Sequence, residues 1–513
     1  MGYDIADYKA IDPLYGTLED VDELISQLKK RGMKLMMDLV VNHTSEQACL
    51  YFRDWYIWKP PKIAPDGTRE PPNNWSQILG DANSAWTYDK TTDQYYLSLF
   101  TPNQPDLNWE NPEVRDAVHD VMNFWLDRGA CGFRMDVINL ISKDQRFPDA
   151  DPSGDPDSRY HSGEKYYING PRMHEFLRDI HRKVLSKYDA ITVGEMPGIS
   201  EIDEVLRSVG SKAGELNMIF IFDIVNIDSV PGETKYSIAD WKVSDLRRIQ
   251  NKWQRAMIEK DGWNSIFVEN HDNPRSVSRY TDDSDATRTY GAKLLAIMQT
   301  TLSGTLYVFQ GEEIGMRNVP WSWDASEFKD IESVNFWKKA QAFFKDDPEK
   351  LKYARKCLWA KARDHSRTPM QWSSDAHAGF CQSGIKPWMR VNDDYETFNA
   401  EVEMAAPKLE SEYKFWQHCL AFRKAHQDVF VYGDFQLIGE VEDKSSVFAY
   451  TRKGESGEAY LIVLNFGSEE VKWVVPKNVD LEGWVLSSYD GELRAGGNEV
   501  TLRGWEGLLG VCK

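Results

Sequence analysis

Four apolar runs of this sequence end on side chains that can carry acid–base or nucleophilic chemistry. Those side chains are His43, Asp136, Glu195, His271 and Asp272. Each run has the length and composition of a buried β-strand, so each polar side chain is expected where a strand ends. The carboxyl ends of parallel strands in an α/β barrel meet at one mouth, where active sites form. One such aspartate is usually a turn residue and one such histidine a core residue, but four strand ends together favour a functional site.

Three carboxylates at one mouth, without a serine or cysteine nucleophile signature, can hydrolyse a glycosidic bond. One carboxylate attacks the sugar or activates water, and a second donates a proton to the leaving oxygen. Arg134 lies two residues before Asp136, hence on the same face of a strand, and its charge is expected to keep Asp136 ionised. Burial or a neighbouring like charge would keep Glu195 protonated.

The elements that must position these residues alternate between helical and strand-like patterns. Predicted helices cover 18–31, 113–128, 172–187, 236–260 and 286–302, and predicted strands cover 33–41, 131–138, 190–195, 218–224, 265–269 and 304–310. This alternation predicts an α/β fold with a parallel sheet, and the number of strands favours a barrel over an open sheet.

A closed barrel of this type has eight strands, whereas the sequence predicts six. Only about 17 residues precede the first predicted helix, too few for two strand–helix units. The predicted fold class is therefore an α/β, TIM (β/α)8-type barrel that lacks its first two strand–helix units. Residues 33–41 and 304–310 are expected to be exposed edges, and the chain is expected to be poorly soluble or weakly active.

Two segments interrupt the alternation. Residues 44–110 are rich in Pro, Asn, Asp and Trp, which indicates a small inserted domain B. Residues 429–513 carry strand-like runs and turn signals, which predict a C-terminal antiparallel β domain resembling a sandwich. The barrel is accordingly expected over residues 1–43 and again over 111–428.

Composition argues against several classes of function. The 513 residues carry a formal net charge of −20 without a basic cluster, which does not suit a nucleic-acid binder. No apolar run approaches the roughly 18 residues of a membrane helix. The six cysteines are scattered, so neither a metal site nor a redox motif is indicated. We therefore expect a cytoplasmic monomer that uses no cofactor and acts on a small ligand.

Four short segments at these residues resemble the four signature regions of glycoside hydrolase family 13, the α-amylase family. They are DLVVNH (38–43), GFRMDV (132–137), VGEM (193–196) and ENHDNPR (269–275). The resemblance extends to QPDLNW (104–109) and QGEEIGM (310–316), and SRTPMQW (366–372) narrows it to the α-glucosidase and oligo-1,6-glucosidase subgroup. The opening segment resembles the loop after the second barrel strand of that subgroup, so the resemblance covers the whole chain.

The resemblance implies roles for individual residues. The catalytic residues would be Asp136 as nucleophile, Glu195 as acid/base and Asp272 as the carboxylate that stabilises the transition state. The substrate-binding residues would be Tyr3, His43, Phe100, Gln104, Arg134, Val137, His271 and Arg367. Tyr3 is the implied aromatic platform beneath the glucose, although ordinary core packing also explains Tyr3 and Phe100. The metal loop of many relatives has no counterpart here, so no metal ligand is implied.

The implied activity is that of a retaining α-glucosidase that removes terminal glucose from short oligosaccharides in carbohydrate catabolism. Isomaltose (α-1,6) and maltose (α-1,4) are the expected substrates, and sucrose is a further candidate. Valine at position 137 goes with α-1,6 preference in the resembling subgroup; the alternative is that Val137 only packs against the barrel wall. Two other interpretations stay open: a truncated, catalytically impaired relative with a binding or regulatory role, and a transglycosylase or isomerase of the same fold.

Overall fold

The computed structural model describes residues 2–49, 53–79, 83–152, 158–407, 409–491, 493 and 497–513. The chain divides into two compact units, Met1–Phe222 with Asp261–Trp263 and Asp223–Lys260 with Asn264–Lys513. The first unit contains the predicted nucleophile and acid/base residues, and the second contains Asp272. Among the described helices, none combines the length and the hydropathy that crossing a membrane requires.

The first unit alternates short strands with helices. Its helices are α1 (Leu18–Lys30), α2 (Glu46–Cys49), α3 (Pro112–Arg128), α4 (Glu164–Tyr167), α5 (Met173–Lys183) and α6 (Ile202–Val209). Its strands are β1 (Met36–Val40), β2 (Trp58–Lys59), β3 (Lys62–Ile63), β4 (Arg69–Glu70), β5 (Trp86–Asp89), β6 (Gln94–Leu97), β7 (Gly132–Asp136), β8 (Ile191–Glu195) and β9 (Met218–Phe220).

A parallel sheet with the strand order β1-β7-β8-β9 forms the frame of the first unit. Helix α3 connects β1 with β7 and has clear end signals. The Asn111 side chain accepts a hydrogen bond from the Glu113 N–H at its start, and Gly129 takes a left-handed conformation (φ 115°) at its end. The reversal at Gly129 directs the chain straight into β7, the strand that carries Arg134 and Asp136.

The segment between β1 and α3 forms small antiparallel sheets. Strands β2, β6 and β5 make a three-stranded sheet in that order, and β3 pairs with β4. Buried side chains of this segment, among them Trp75, Leu97 and Leu99, share one apolar cluster with Val137 and Leu140, which follow β7. The inserted segment is therefore packed directly against the chain that follows the predicted nucleophile.

The second unit contains the remaining elements. Its helices are α7 (Val243–Glu259), α8 (Ser276–Tyr280), α9 (Arg288–Thr301), α10 (Ile331–Phe343), α11 (Pro348–Lys361), α12 (Ala400–Ala405), α13 (Glu412–Ala425) and α14 (Gln427–Phe430). Its strands are β10 (Ser265–Ile266), β11 (Thr305–Leu306), β12 (Asp434–Ile438), β13 (Val447–Lys453), β14 (Ala459–Asn465), β15 (Val471–Val474), β16 (Leu481–Ser487), β17 (Glu499–Leu502) and β18 (Gly507–Cys512).

Two kinds of sheet occur in the second unit. Strands β10 and β11 pair in parallel, as barrel strands do. The C-terminal strands form an antiparallel sheet in the order β12-β13-β14-β18-β16 and a second antiparallel pair, β15 with β17. Buried apolar residues such as Val463, Trp484 and Leu502 fill the C-terminal core. The barrel-type α/β fold with a C-terminal antiparallel β region, predicted from the sequence, is confirmed.

Differences from the predicted elements lie at their ends. The predicted helix over 236–260 begins only at Val243, because Lys242 is extended and its N–H is bound by the Asp245 carboxylate in a cap. The six predicted barrel strands form parallel sheets of four and two strands. Within the described residues β1 and β11 each have one partner strand, and so do β9 and β10. Strands as short as β10 and β11 contribute few ladder hydrogen bonds.

A glycine at the start of β7 is required by the close approach of β8, and its substitution gives a test of the fold. A Cβ on Gly132, whose φ is 148°, would lie 1.7 Å from the Ile191 carbonyl oxygen. We expect Gly132→Ala to lower the free energy of unfolding by at least about 3 kcal/mol or to prevent folding. The measurement is the midpoint and slope of urea unfolding.

Gly32 provides a matched control in the same unit. It also has a positive φ, 70°, but an added Cβ would meet no atom within 4 Å. Gly32→Ala should therefore cost only the backbone term of about 1–2 kcal/mol. Equal losses in the two variants would show that the contact with Ile191 does not limit this position.

Candidate active site

The strands β7 and β8 bring the predicted nucleophile and acid/base residue to one edge of the sheet. Asp136 is the last residue of β7, and Glu195 is the last residue of β8. Met135 pairs with Gly194 in the parallel register, so the two carboxylates occupy the next position on neighbouring strands. Neighbouring strands lie about 4.8 Å apart, which places the two side chains next to each other.

One guanidinium group contacts three carboxylates at this edge. Arg134 Nη1 lies 2.7 Å from Asp136 Oδ1, and Arg134 Nη2 lies 2.8 Å from Glu195 Oε2. The third contact joins Arg134 Nη1 to Asp38 Oδ1 on β1 at 2.9 Å. The Asp136 and Glu195 side chains are only 9% and 11% exposed, so the arginine offsets charge that water reaches poorly.

The surroundings of Asp136 favour its protonated form. Burial raises the pKa of Asp136, and the negative charge of Glu195 raises it further; the Arg134 charge opposes both without cancelling them, so the pKa lies well above its usual range. The sequence had suggested that Arg134 keeps Asp136 ionised. The direction differs because burial and the Glu195 charge together outweigh the guanidinium, which also contacts Glu195 and Asp38.

Val137, which follows the predicted nucleophile, has a strained backbone. Val137 lies in the left-handed region with φ 34° and ψ 42°, which β-branched residues rarely adopt. This conformation directs the Val137 N–H to Glu195 Oε2 at 3.2 Å. The Val137 side chain is 8% exposed and packs in the apolar cluster that includes Leu140 and Phe147. The strained turn thus connects the nucleophile strand, the acid/base carboxylate and the core of the inserted segment.

Tyr3, His43, Phe100 and Gln104 form a connected group in the first unit. The Tyr3 carbonyl oxygen accepts from Gln104 Nε2 at 3.1 Å and lies 3.0 Å from His43 Nε2. The rings of His43 and Phe100 are 4.9 Å apart. The Tyr3 hydroxyl donates to Asp38 Oδ2 at 3.0 Å, so Asp38 links this group to the arginine and its carboxylates.

A buried polar network holds the His43 imidazole. Asn42 Nδ2 lies 3.2 Å from His43 Nδ1 and donates to Asp106 Oδ1 at 3.0 Å. Lys143 Nζ donates to Asn42 Oδ1 at 2.7 Å and forms a salt bridge with Asp106 at 2.9 Å. Burial lowers the pKa of His43 to about 4 although the Asp106 carboxylate opposes it. The imidazole is therefore neutral at neutral pH, with Nε2–H donating to Tyr3 and Nδ1 accepting from Asn42.

Two arginines of one helical turn hold Asp272 in the second unit. Arg367 Nη2 and Arg363 Nη1 lie 2.6 and 3.3 Å from Asp272 Oδ1. The same guanidinium groups contact Oδ2 of the buried Asp330 at 2.8 and 2.9 Å. Both arginines belong to the short 3₁₀-helix Arg363–Arg367, at its first and last residue. Arg363 Nε also lies 3.1 Å from Glu332 Oε2, and Lys235 Nζ lies 3.0 Å from the same oxygen, so three carboxylates and three cations share one ion-pair network.

The charge state of Asp272 differs from that of Asp136. Burial alone would raise the pKa of Asp272, but the charges of His271 and Arg363, with further cations, outweigh burial and hold the pKa well below its usual range. Arg367 Nε also donates to the His271 carbonyl oxygen at 3.0 Å, which fixes the backbone beside Asp272. Asp272 is therefore ionised at every pH at which the protein is expected to work.

The predicted site residues lie in two groups, one in each unit. The first unit connects Tyr3, His43, Phe100, Gln104, Arg134, Asp136, Val137 and Glu195, and the second connects His271, Asp272 and Arg367. Sequence reasoning did not assign Asp38, Asn42, Asp106, Lys143, Asp330 and Arg363. Asp38, Asn42 and Asp106 stand inside recognised segments, and Arg363 precedes Arg367 by one helical turn. Within the described ranges, no group of three or more His, Cys, Asp or Glu side chains is arranged to hold a metal ion.

Comparison with known proteins agrees with this geometry. The family described as alpha amylase, catalytic domain, matches residues 1–433. An α-glucosidase of Schizosaccharomyces pombe is 44% identical over 99% of this chain and 88% of its own length. An oligo-1,6-glucosidase of Parageobacillus thermoglucosidasius is 40% identical over 98% of this chain and 88% of its own.

Solved structures also resemble the chain along its whole length. An isomaltulose synthase from a Klebsiella species has a TM-score of 0.90 at 34% identity, covering 100% of this chain and 89% of that one. A trehalose-6-phosphate hydrolase of Bacillus licheniformis has a TM-score of 0.87 at 39% identity, with the same coverage. Sequence motifs, site geometry and these full-length similarities together show that the chain belongs to the α-amylase family, glycoside hydrolase family 13.

Proposed function

We propose that this protein is a retaining α-glucosidase that releases terminal glucose from short α-glucosides in carbohydrate catabolism. The contact of one guanidinium, that of Arg134, with both Asp136 and Glu195 carries the proposal. Retaining glycosidases place their two carboxyl groups about 5–5.5 Å apart, and inverting enzymes about 6.5–9.5 Å. Two carboxylates on adjacent strands that share one planar guanidinium support the shorter separation.

The proposed reaction has two displacement steps. First, Glu195 donates its proton to the glycosidic oxygen while an Asp136 oxygen attacks the anomeric carbon; the bond from that carbon to the glycosidic oxygen breaks and the aglycone leaves as an alcohol. Then Glu195 takes a proton from water, whose oxygen attacks the same carbon and displaces the Asp136 carboxylate. Two inversions release glucose in its original α configuration. The first step needs the Asp136 carboxylate in its ionised form, so it should become faster as the pH rises past the raised pKa of Asp136.

The neighbouring groups have defined roles in this scheme. Arg134 contacts both carboxylates, so it stabilises the additional negative charge that appears when Glu195 loses its proton. Asp272, kept ionised by its cations, would stabilise the positive charge that develops on the sugar ring in the transition state. The resemblance assigns His43 and Gln104 to sugar hydroxyl groups, and each would have to exchange its bond to the Tyr3 carbonyl oxygen for such a contact. Tyr3 and Phe100 supply aromatic surface beside them.

The names of the relatives support the substrate class. They include α-glucosidases and oligo-1,6-glucosidases, so both α-1,4 and α-1,6 glucosides are proposed substrates. A catalytically impaired binding protein is not favoured, because all three carboxylates are present and each is paired with an arginine. The isomerase alternative follows from the likeness to an isomaltulose synthase and differs only in the product formed from sucrose.

We further propose that the enzyme is a cytoplasmic monomer without a cofactor. Cys131, Cys357, Cys381, Cys419 and Cys512 are free thiols, which supports a reducing compartment. The proposed steps use only carboxyl groups, water and the substrate, so they need no cofactor. Sedimentation equilibrium of the purified chain measures the oligomeric state.

The direct test of the proposal is glucose release from isomaltose, maltose and sucrose, with the product anomer followed by NMR during the first minutes. We expect α-glucose to appear first. Glu195→Gln should lower kcat on the disaccharides by about 10²–10⁴-fold, because the general acid is removed. The control Glu201→Gln alters an exposed carboxylate of the same unit and should keep full activity.

Other outcomes of the same assay would indicate a different mechanism or a different function. Glucose appearing first as the β anomer contradicts the retaining mechanism. Isomaltulose or trehalulose from sucrose indicates the isomerase. Failure to release glucose from any of the three sugars contradicts the proposed function.

The raised pKa of Asp136 predicts how the pH profile of kcat/KM changes when Glu195 is replaced. The Glu195 charge raises the pKa of Asp136, so Glu195→Gln removes that charge and the pKa of Asp136 should fall. The acidic limb of kcat/KM rises as Asp136 ionises, and in the variant it should therefore move to lower pH. The measurement uses p-nitrophenyl α-glucoside, whose leaving group needs no proton donor. An acidic limb that stays in place, or moves to higher pH, would show that the Glu195 charge does not raise the pKa of Asp136.

Val137, the residue after the proposed nucleophile, predicts which glycosidic linkage the enzyme prefers. Asp136 is fixed by the chemistry, so the stiff β-branched Val137 beside it would restrict the sugar next to the cleaved bond. An α-1,6 linkage has an additional rotatable bond that moves this sugar clear. We expect isomaltose to be preferred over maltose, and Val137→Ala to move the kcat/KM ratio towards maltose by about 10-fold or more.

A control separates this effect from loss of packing, since Val137 also belongs to the apolar cluster of the inserted segment. Leu140→Ala removes a neighbouring member of the same cluster, which is 1% exposed. That variant should lose about 2–5 kcal/mol of stability and keep the wild-type substrate ratio. If both variants shift the ratio alike, or neither does, Val137 is not the residue that selects the linkage.

A further inference from the structure

Two of the segments that resemble the family contain charged residues to which neither the resemblance nor the proposed mechanism gives a role. Glu269 and Arg275 stand at the two ends of ENHDNPR (269–275), and Glu312 lies in QGEEIGM (310–316). All three are buried, and the side chains of Glu269 and Arg275 are only 1% exposed. Charged groups are costly to remove from water unless they are paired and hydrogen-bonded, so the contacts of these residues have a physical cause.

Glu269 closes the turn that carries the proposed transition-state carboxylate. Its Oε1 accepts a hydrogen bond from Arg275 Nη1 at 2.9 Å, and its Oε2 accepts one from the Ser276 N–H. One carboxylate thus joins the start of the turn to its end, and His271 and Asp272 lie in the closed segment. We call this pair of contacts the Glu269–Arg275 clasp.

The backbone inside the clasp is bent by a second set of hydrogen bonds. Asn270 Oδ1 accepts from the Asp272 N–H at 2.9 Å and from Asn273 Nδ2 at 2.8 Å. The Asn270 carbonyl oxygen accepts from the Asn273 N–H at 3.2 Å. All of these bonds are local to the turn. The position at which the turn presents Asp272 therefore depends on where its two ends are held.

Arg275 also fixes the closed turn to the second of the two segments. Its Nη1 donates to the Gln310 carbonyl oxygen at 2.8 Å, and its Nη2 lies 3.7 Å from Met316 Sδ. The Phe309 ring centroid is 5.1 Å from the guanidinium carbon. A Cβ on Gly311 would lie only 3.1 Å from Arg275 Nη1. The guanidinium is thus closely surrounded and has little freedom to change its orientation.

Glu312 does not compete with Glu269 for the Arg275 charge. Burial raises the pKa of Glu312, and the Glu269 charge raises it further; Arg275 opposes both, and the pKa still lies well above its usual range. The Glu312 oxygens accept from Gln299 Nε2 at 2.5 Å and from the Phe309 N–H at 3.1 Å. The neutral form of Glu312 is favoured, which leaves the Arg275 charge to Glu269.

We propose that Glu269 and Arg275 are positioning residues that hold the turn 269–276 closed and thereby place Asp272 where its carboxylate stabilises the transition state. A buried ion pair contributes little net stability compared with well-packed apolar residues, so its effect here is on the geometry of the turn. The arginines that bind Asp272 favour its ionised form, whereas the clasp fixes its backbone. The proposal rests on the proposed function and adds residues that act on the reaction without touching the sugar.

The kinetic test changes each partner of the clasp conservatively. Glu269→Gln keeps the size of the side chain but turns an amide N–H towards one of its two donors. Arg275→Lys keeps the charge but replaces the planar guanidinium by a single ammonium group. Each change should lower kcat on isomaltose by about 10-fold to 10²-fold and alter KM by less than about threefold, because a displaced Asp272 costs transition-state stabilisation. Unchanged kcat in both variants would overturn the proposal.

Two buried groups elsewhere in the second unit supply matched controls. Glu506 is buried and accepts from Arg503 Nη2 at 2.8 Å and from the Arg503 N–H at 2.7 Å, the same combination of guanidinium and backbone donors. Arg247 is 1% exposed and donates to the Val447 carbonyl oxygen at 3.1 Å. Glu506→Gln and Arg247→Lys should lower the melting temperature as the clasp variants do, but keep kcat within about twofold of wild type.

A binding measurement separates positioning from a general loss of stability. The cationic iminosugar deoxynojirimycin carries the positive charge that an ionised Asp272 would stabilise, whereas glucose is neutral. In both clasp variants the calorimetric affinity for the iminosugar should fall by about tenfold or more, and the affinity for glucose should change by less than about threefold. Equal losses for the two ligands, or the same losses in the control variants, would overturn the proposal.

Hydrogen exchange tests the clasp without any substrate. The Ser276 N–H is bound by Glu269 and the Asp272 N–H by Asn270, so both amides should exchange about tenfold faster or more in the clasp variants and at the wild-type rate in the controls. Unchanged exchange at both amides would overturn the clasp. Faster exchange supports it even if the wild-type chain cleaves none of the proposed sugars, a result that would refute the proposed function alone. Thermal unfolding shows which variants are folded, and Arg275→Lys decides the outcome if Glu269→Gln does not fold.

Discussion

The repulsion between two carboxylates at the ends of neighbouring strands is the constraint on which the rest of this site depends. Asp136 and Glu195 are both nearly buried, and each ionised group would cost several kcal/mol to remove from water. Arg134 is the cation that makes their proximity tolerable. Its third contact, to Asp38, involves strand β1 as well. A charge network therefore holds the carboxyl ends of three adjacent strands together.

That network exists only in one register of the sheet. Asp38 on β1 lies opposite Arg134 on β7, and Met135 on β7 lies opposite Gly194 on β8. Because side chains alternate between the faces of a strand, a slip by one residue would turn each charged group to the other face. The close approach of β8 at Gly132 fixes the same register from the opposite end of β7. Backbone sterics and side-chain charge thus specify one pairing, and the chemistry depends on that pairing.

Local patterns in the sequence predicted part of the candidate site. The apolar runs, the polar residues at their ends and the family segments predicted catalytic roles for Asp136, Glu195 and Asp272, and those roles stay predictions. The structure ends β7 on Asp136 and β8 on Glu195, whereas Asp272 lies beyond the end of β10. Sequence reasoning did not reach Lys143 or Asp330, because each acts through a partner far away in the chain and no spacing rule connects them. The direction of the Asp136 pKa was also not predicted. That direction follows from the burial of Asp136 and from the Glu195 charge beside it, which only the packed structure supplies.

The same side chain has opposite proton affinity at two positions, and the ratio of charges explains why. Around Arg134 one cation serves three carboxylates, so negative charge is in excess and the pKa of Asp136 is raised. Around Asp272 three cations, Arg363, Arg367 and Lys235, serve Asp272, Asp330 and Glu332, and the charge of His271 also favours the ionised carboxylate. The proposed displacement needs one carboxylate that stays negative while positive charge develops on the sugar, and the lowered pKa of Asp272 suits that proposed role. The unequal distribution of cations over the carboxylates therefore gives two aspartates pKa values that are shifted in opposite directions.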